Sequence, residues 1–289
     1  MRILTEKAYA KLNLSLDVSK AREDGYHDMV MVMQTVSLCD ELSITLDETG
    51  KVRAETDLRY IPRDDRNLAV KAAKLYFAGT ERNGTGAVIR MKKRIPVGAG
   101  MAGGSADAAA VIRALNRAFD DELNHGEMMK LAEQAGSDVA FCMMGGTALA
   151  EGRGEILTRL RDLPECSIVI CKPDYSISTP ELFRALDREK LRVHPDTKGM
   201  LEAIGEGNLA QICRRMYNVF EDVPDRRMKT VAEIKTRLIN RGAEGTVMTG
   251  TGSAVFGIFT EESAAQKAVN ALRKEYPFAC VTKPVGSLL

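Results

Sequence analysis

The chain has no tryptophan, and aromatic residues make up only 5% of it. Single-strand nucleic-acid surfaces stack bases on such rings, so a surface of that kind is not expected. Neither sign of charge is in excess, with 41 Lys and Arg against 40 Asp and Glu. A net charge of +1 argues against a general nucleic-acid partner but leaves room for a small basic pocket around one phosphorylated ligand. No apolar run approaches the roughly 18 residues of a membrane span, and the opening Met1-Arg-Ile-Leu-Thr-Glu-Lys-Ala8 lacks a signal-peptide core. No membrane partner is expected, and the expected location is the cytoplasm. The 6 cysteines show no C-x-x-C spacing and sit mostly in apolar surroundings, as buried thiols of a reducing compartment do. With only 3 histidines in the chain and none near a cysteine, a catalytic thiol is not expected. No repeat and no carboxylate cluster of metal-site type is visible.

What is present is glycine in one place. Pro96-Val-Gly-Ala-Gly-Met-Ala-Gly-Gly-Ser-Ala-Asp-Ala-Ala-Ala110 runs from a side-chain-poor loop straight into a helix former. Such a backbone approaches phosphate closely, and the helix behind it offers free N–H groups and the positive end of its dipole. Two familiar loops fit it partly. Gly98, Gly100 and Gly103 spell the dinucleotide fingerprint, yet the preceding segment 87–94 alternates as a half-solvated strand and 119–125 is too polar to end a second one. Gly98 and Gly103 also have the Walker spacing, but Gly104 stands where the lysine belongs. A glycine cradle on a helix N-terminus survives, and its neutralising cation must come from elsewhere.

Periodicity predicts strands over 3–18, 29–38, 40–46 and 86–95, and helices over 67–77, 105–119 and 127–135, with Ser105 as N-cap of the second. Strands followed by helices indicate α+β packing. A division near Gly152-Arg-Gly154 gives units of 1–155 and 156–289. The second unit reads as strand 167–172, helices from 180 and over 225–241, strands 246–248 and 254–259, helix 262–274 and strand 278–282, an order of ferredoxin-like type.

Four polar clusters fall between these elements. Ala8-Tyr-Ala-Lys-Leu-Asn13 puts Lys11 and Asn13 on one face of a strand. Asp24-Gly-Tyr-His27 presents a ring and an imidazole on a turn. Gly136-Ser-Asp-Val-Ala-Phe141 sets one carboxylate before an apolar run, where desolvation would raise its basicity; an N-cap role is the plainer reading. Met248-Thr-Gly-Thr-Gly-Ser-Ala-Val-Phe-Gly257 is a second glycine turn, or a tight hairpin. Singly, each has a structural explanation.

In combination and order these pieces resemble the GHMP kinase superfamily of small-molecule kinases. Further matching segments are Lys93-Arg-Ile-Pro-Val-Gly98, Ala150-Glu-Gly-Arg-Gly-Glu155 and Ser178-Thr-Pro-Glu-Leu-Phe183, so the likeness spans residues 10–257. The resemblance implies a two-domain α+β GHMP kinase fold with its active site in the interdomain cleft, with ATP and Mg²⁺ as cofactors. It implies that Pro96, Val97, Gly98, Ala99, Gly100, Met101, Ala102, Gly103, Gly104, Ser105, Ala106 and Asp107 hold the triphosphate and that Asn67 holds the adenosine end. Asp138 would accept the proton of the substrate hydroxyl, with Lys11 beside it as the missing cation and Asn13 lining the same pocket. The Asp-Gly-Tyr-His turn narrows the substrate to a cytidine diphosphate-linked methylerythritol, its cytosine between Tyr26 and Phe183, its edge on His27, with Thr179 nearby. A monomer or weak homodimer is expected. The chain departs from the pattern at Ala106, Thr249 and Thr251, where serines are common, and at Asn218-Val-Phe-Glu221. A kinase for another small alcohol such as mevalonate or a sugar, and a nucleotide-binding module without catalysis, stay open.

Overall fold

Alternation that the sequence breaks into short runs becomes two long strands. The structure is a computed structural model that describes residues 3–22, 25, 27–189 and 191–289. In it β1 (Ile3–Ala21) and β2 (His27–Asp47) pair antiparallel along their length, from Ile3 opposite Thr45 to Ala21 opposite His27. Around them come β3 (Val52–Thr56), α1 (Leu68–Gly79), β4 (Gly86–Lys92), α2 (Gly103–Ala118), α3 (His125–Ala135), α4 (Ser137–Met144), β5 (Thr147–Gly152) and β6 (Ile156–Arg159). The early half of β2 pairs with β5 and its late half with β4, so one strand carries two neighbours on the same edge.

The second half supplies β7 (Ser167–Lys172), α5 (Thr179–Leu186), α6 (Thr197–Glu206), α7 (Leu209–Arg214), β8 (Tyr217–Asn218), α8 (Met228–Ile239), β9 (Gly245–Met248), β10 (Val255–Phe259), α9 (Glu262–Leu272) and β11 (Phe278–Thr282). Its sheet runs β11-β7-β10-β9, all antiparallel, the strand order of a split βαβ motif. The expected α+β class holds. As a proposal, the division of the chain falls between Arg159 and Ser167, where it leaves one sheet for the other; β8 returns to pair with β1. The tail also returns, with Pro284 bridging Val36 and Ser287 bridging Gly145.

Three local expectations need correction. Ser105 does not cap α2: Ala102, in the left-handed region at φ 54, begins the helix with no side-chain cap, so α2 starts at Gly103. Alanine can offer no oxygen, and the first-turn N–H groups stay free of any side chain. Asp138 is no N-cap either, since Gly136 holds that position and Asp138 lies in the first turn of α4. The alternation of β4 survives only at Arg90 and Lys92; Gly86 to Ile89 are buried, because β4 is an interior strand between β2 and β3. Short elements (β3, α4, β5, α6, α7 and β8) escaped the periodicity reading.

Candidate active site

Both catalytic candidates are placed by irregular backbone. β1 shifts register between Tyr9 and Lys11 and again between Asn13 and Ser15. Such bulges re-aim side chains. Lys11 is 4% exposed and donates to Asn13 Oδ1 at 2.6 Å, while its ammonium lies 3.8 Å from Asp138 Oδ2. Asp138 stands at the N-terminus of α4, where the helix dipole favours a carboxylate. Its side chain is 33% exposed, so it faces an opening more than an apolar wall.

The two glycine turns lie backbone on backbone. Thr249 Oγ1 donates to Gly100 O at 3.1 Å, and Ala254 N donates to Ala99 O at 3.3 Å. Asn13 ties them to β1: its N–H donates to Thr249 Oγ1 at 3.1 Å and its Oδ1 accepts Gly250 N at 3.1 Å. Lys11 N donates to Met101 O at 3.2 Å. Asn218 braces the far side, its Nδ2 donating at 2.8 Å to both Met248 O and Gly250 O, and Glu221 accepts Met248 N while pairing with Lys235. The departure Asn218-Val-Phe-Glu221 therefore still supports the late turn. Asn218→Ala is expected to lower unfolding free energy by about 2–4 kcal/mol in a urea titration, since it strands buried carbonyls. A loss below about 0.5 kcal/mol would mean the turn is held elsewhere.

Two cavities meet at the first turn. One, of about 330 Å³, is walled by Ile61, Pro62, Arg66, Asn67, Lys93, Asp107 and the loop 96–104. The other, of about 290 Å³, is walled by Lys11, Asp138, Leu16, Met29, Met31, Ile177, Thr179, Phe183, Phe220 and the late turn. Gly98, Gly100 and Ala102 line both. A wider groove of about 1020 Å³ crosses the first sheet past Lys7, Glu41, Arg90 and Lys92, but it contains neither glycine turn nor the Lys11–Asp138 pair. The chemistry belongs to the smaller pair of cavities.

The remaining candidates divide. Asn67 caps α1 by accepting Ala69 N at 2.9 Å and donates to Pro62 O at 2.8 Å, so its amide shapes the wall of the first cavity. His27 lies against Phe183, ring centroids 4.8 Å apart, with Nε2 at 2.6 Å from Asp187 Oδ1. Phe183 in turn meets Phe220 edge-on at 4.9 Å. Thr179 Oγ1 is 2.8 Å from Thr251 Oγ1, joining α5 to the late turn. Tyr26 lies outside the described residues. Ser105 and Ala106 open α2 directly behind Gly103 and Gly104.

Sequence reasoning missed Lys93 and Asp40. Lys93, its side chain 5% exposed, pairs with both Asp40 and Asp107 beneath the loop. Burial alone would lower its ammonium, but the two carboxylates hold it above its ordinary value. The signal was the basic pair Lys93-Arg94 directly ahead of Pro96. Among the described residues no group of three or more His, Cys, Asp or Glu is arranged for a metal ion.

Comparison with known proteins agrees with this geometry. Residues 67–146 match the GHMP kinases N terminal domain, and residues 200–277 match GHMP kinases C terminal. The 4-diphosphocytidyl-2-C-methyl-D-erythritol kinase of Bacillus subtilis (strain 168) is 44% identical over 273 residues, covering 94% of this chain and 93% of that protein. The kinase of the same name from Caldicellulosiruptor saccharolyticus is 44% identical over 269 residues, 92% of each chain. A crystal structure of 4-(cytidine 5'-diphospho)-2C-methyl-D-erythritol kinase superposes with a TM-score of 0.81 at 33% identity, covering 98% of this chain and 99% of that one. A homoserine kinase from Cytophaga hutchinsonii shares the fold, with a TM-score of 0.79 at 18% identity, covering 99% of this chain and 96% of that one. The chain belongs to the GHMP kinases, in the family of the 4-diphosphocytidyl-2-C-methyl-D-erythritol kinases.

Proposed function

We propose that this chain transfers the γ-phosphoryl group of ATP to the 2-hydroxyl of 4-diphosphocytidyl-2-C-methyl-D-erythritol, giving the 2-phosphate and ADP, in the cytoplasm. The observation that carries the reading is the shared wall: one glycine loop borders a cavity for nucleotide and a cavity that holds a base and a cation. In-line transfer needs the γ-phosphate and the acceptor hydroxyl to meet, and the loop that borders both cavities is where they would.

The acceptor enters beside Lys11 and Asp138. Asp138 takes the hydroxyl proton as the oxygen bonds to the γ-phosphorus, the bond from that phosphorus to the bridging oxygen breaks, and ADP leaves with the electron pair. Lys11, held by Asn13 and 3.8 Å from the Asp138 carboxylate, steadies the developing alkoxide. The apolar side chains of Leu16, Met29, Met31 and Ile177 suit a methylated carbon skeleton. Phe183, His27 and Thr179, which meet beside the acceptor cavity, are assigned to the cytosine ring together with Tyr26, and Asn67 to the adenosine. Mg²⁺ would enter with ATP and supply charge neutralisation on the phosphates; the described residues form no carboxylate cage for it.

The test is ADP release with Mg·ATP and, in turn, the cytidylated alcohol, mevalonate and galactose. Turnover is expected on the first alone. Turnover only on another alcohol would reassign the acceptor cavity, and none on any would leave a nucleotide-binding module.

A further inference from the structure

Lys93 is a buried cation beneath the phosphate loop, and the proposed reaction gives it no task. It follows β4, and its Nζ lies 3.6 Å from where a Cβ on Gly103 would stand, directly under the start of α2. Asp40, fully buried on β2, shares that ammonium and accepts Arg94 N at 2.5 Å and Ile95 N at 2.8 Å. This carboxylate therefore fixes the backbone that enters the loop at Pro96. Asp107 of α2 takes Lys93 on Oδ2, while its Oδ1 is buried without a partner. Asp107 and Lys93 both border the nucleotide cavity.

The charges do not balance. Two carboxylates and one ammonium leave one negative charge in a site shielded from water, under a loop that must accept a triphosphate. Like charges with little water between them oppose binding. The imbalance is removed if one carboxylate takes a proton. Asp40 has both oxygens engaged, Oδ1 by two backbone N–H groups and Oδ2 by Lys93, whereas Asp107 has an idle oxygen.

We propose that Asp40, Lys93 and Asp107 are positioning residues that clamp the entry of the glycine loop, and that Asp107 takes up a proton as the nucleotide's phosphates bind. Burial, opposed by Lys93 and aided by Asp40, pushes the Asp107 carboxyl up to about 7. The next titratable group in its field is the Cys142 thiol on α4, shared with Asp138, Lys11 and Arg113; burial raises that thiol so far that it stays neutral. The sign follows. Below about pH 7 the acid is already protonated and binding is insensitive to pH. Above it, binding must draw a proton, and affinity falls by up to about tenfold per pH unit.

The proposal rests on ATP as the loop's ligand, and Mg·ADP titrated calorimetrically between about pH 6 and 9, in two buffers of different ionisation enthalpy, tests it. The wild-type chain is expected to take up close to one proton per nucleotide bound above pH 7, with affinity declining as the pH rises. Asp107→Asn, which keeps the shape without the charge, is expected to lose both the uptake and the decline; the difference between the two chains cancels the ligand's own protonation. Asp40→Asn removes the second negative charge that raises Asp107, so it is expected to lessen the uptake, and to weaken binding at every pH because Lys93 loses one of its two carboxylates. An Asp107→Asn profile matching wild type, or wild-type binding without proton uptake, overturns the proposal. No Mg·ADP binding at any pH would fail the ATP reading and this one together, whereas strong binding that ignores pH fails this one alone.

Discussion

Asp138→Ala is expected to lower kcat by at least roughly a hundredfold while ATP affinity changes by less than about threefold, because it removes the proposed general base and no proposed phosphate contact. The carboxylate opens onto the acceptor cavity and does not border the nucleotide cavity. Its partner Lys11 stays buried after the change but keeps its 2.6 Å bond to Asn13 Oδ1, so the ammonium is not stranded. Asp138 itself is a third exposed on the first turn of α4, and the helix is held by its buried residues Val139 to Met143. The fold should therefore survive. Asp138→Asn keeps the volume and removes only the basicity, and it should show the same loss. Steady-state rates with the cytidylated alcohol, beside nucleotide affinity measured without acceptor, separate the two effects. If either variant keeps kcat within about threefold of wild type, the hydroxyl loses its proton by another route, and Lys11 becomes the group to examine.

How much of this was legible depended on where the determinants lie in the chain. The glycine loop was readable because its chemistry is local: adjacent residues both shape the backbone and present its N–H groups. Lys11, Asn13 and Asp138 were readable only as members of a pattern, since residues 11 and 138 meet through a bulged strand and the start of a short helix, which no periodicity encodes. The Asp40–Lys93–Asp107 cluster was not readable. Its members come from β2, the turn after β4 and α2; Asp40 and Lys93 alone look like ordinary surface charges, and Asp107 was legible only as the end of the glycine loop. Ser105 misled because serine is a good cap; the left-handed Ala102 began the helix two residues earlier and left its N-terminus without a side-chain cap. The long strands were legible as strands but not in extent, because charged and polar residues within β2 interrupt an alternation that pairing on both sides sustains.

Gly100→Ala tests the contact on which both cavities depend. Gly100 holds φ at +75, a region that costs a residue with a Cβ about 1–2 kcal/mol. The added methyl would also stand 2.1 Å from Thr249 O, 2.9 Å from Thr249 C and 3.2 Å from Gly252 N. These are backbone atoms of the opposing turn, which Asn13, Asn218 and the β9–β10 pairing hold in place, so they cannot swing aside as a side-chain tip would. Overpacking of this kind adds about 1–3 kcal/mol. Together the two effects predict a loss of about 2–5 kcal/mol, seen as a fall of roughly 3–8 °C in the thermal midpoint of a chain this size. The two turns part as the methyl is accommodated, which moves the wall shared by nucleotide and acceptor. Turnover should therefore fall with both substrates saturating, and neither KM alone should account for it. Gly205→Ala is the control: it lies within α6, nothing stands within 4 Å of its Cβ, and alanine there favours the helix slightly. A Gly100→Ala chain that melts within a degree or two of the Gly205→Ala chain and turns over normally would show that the loop and the late turn do not touch in the working protein.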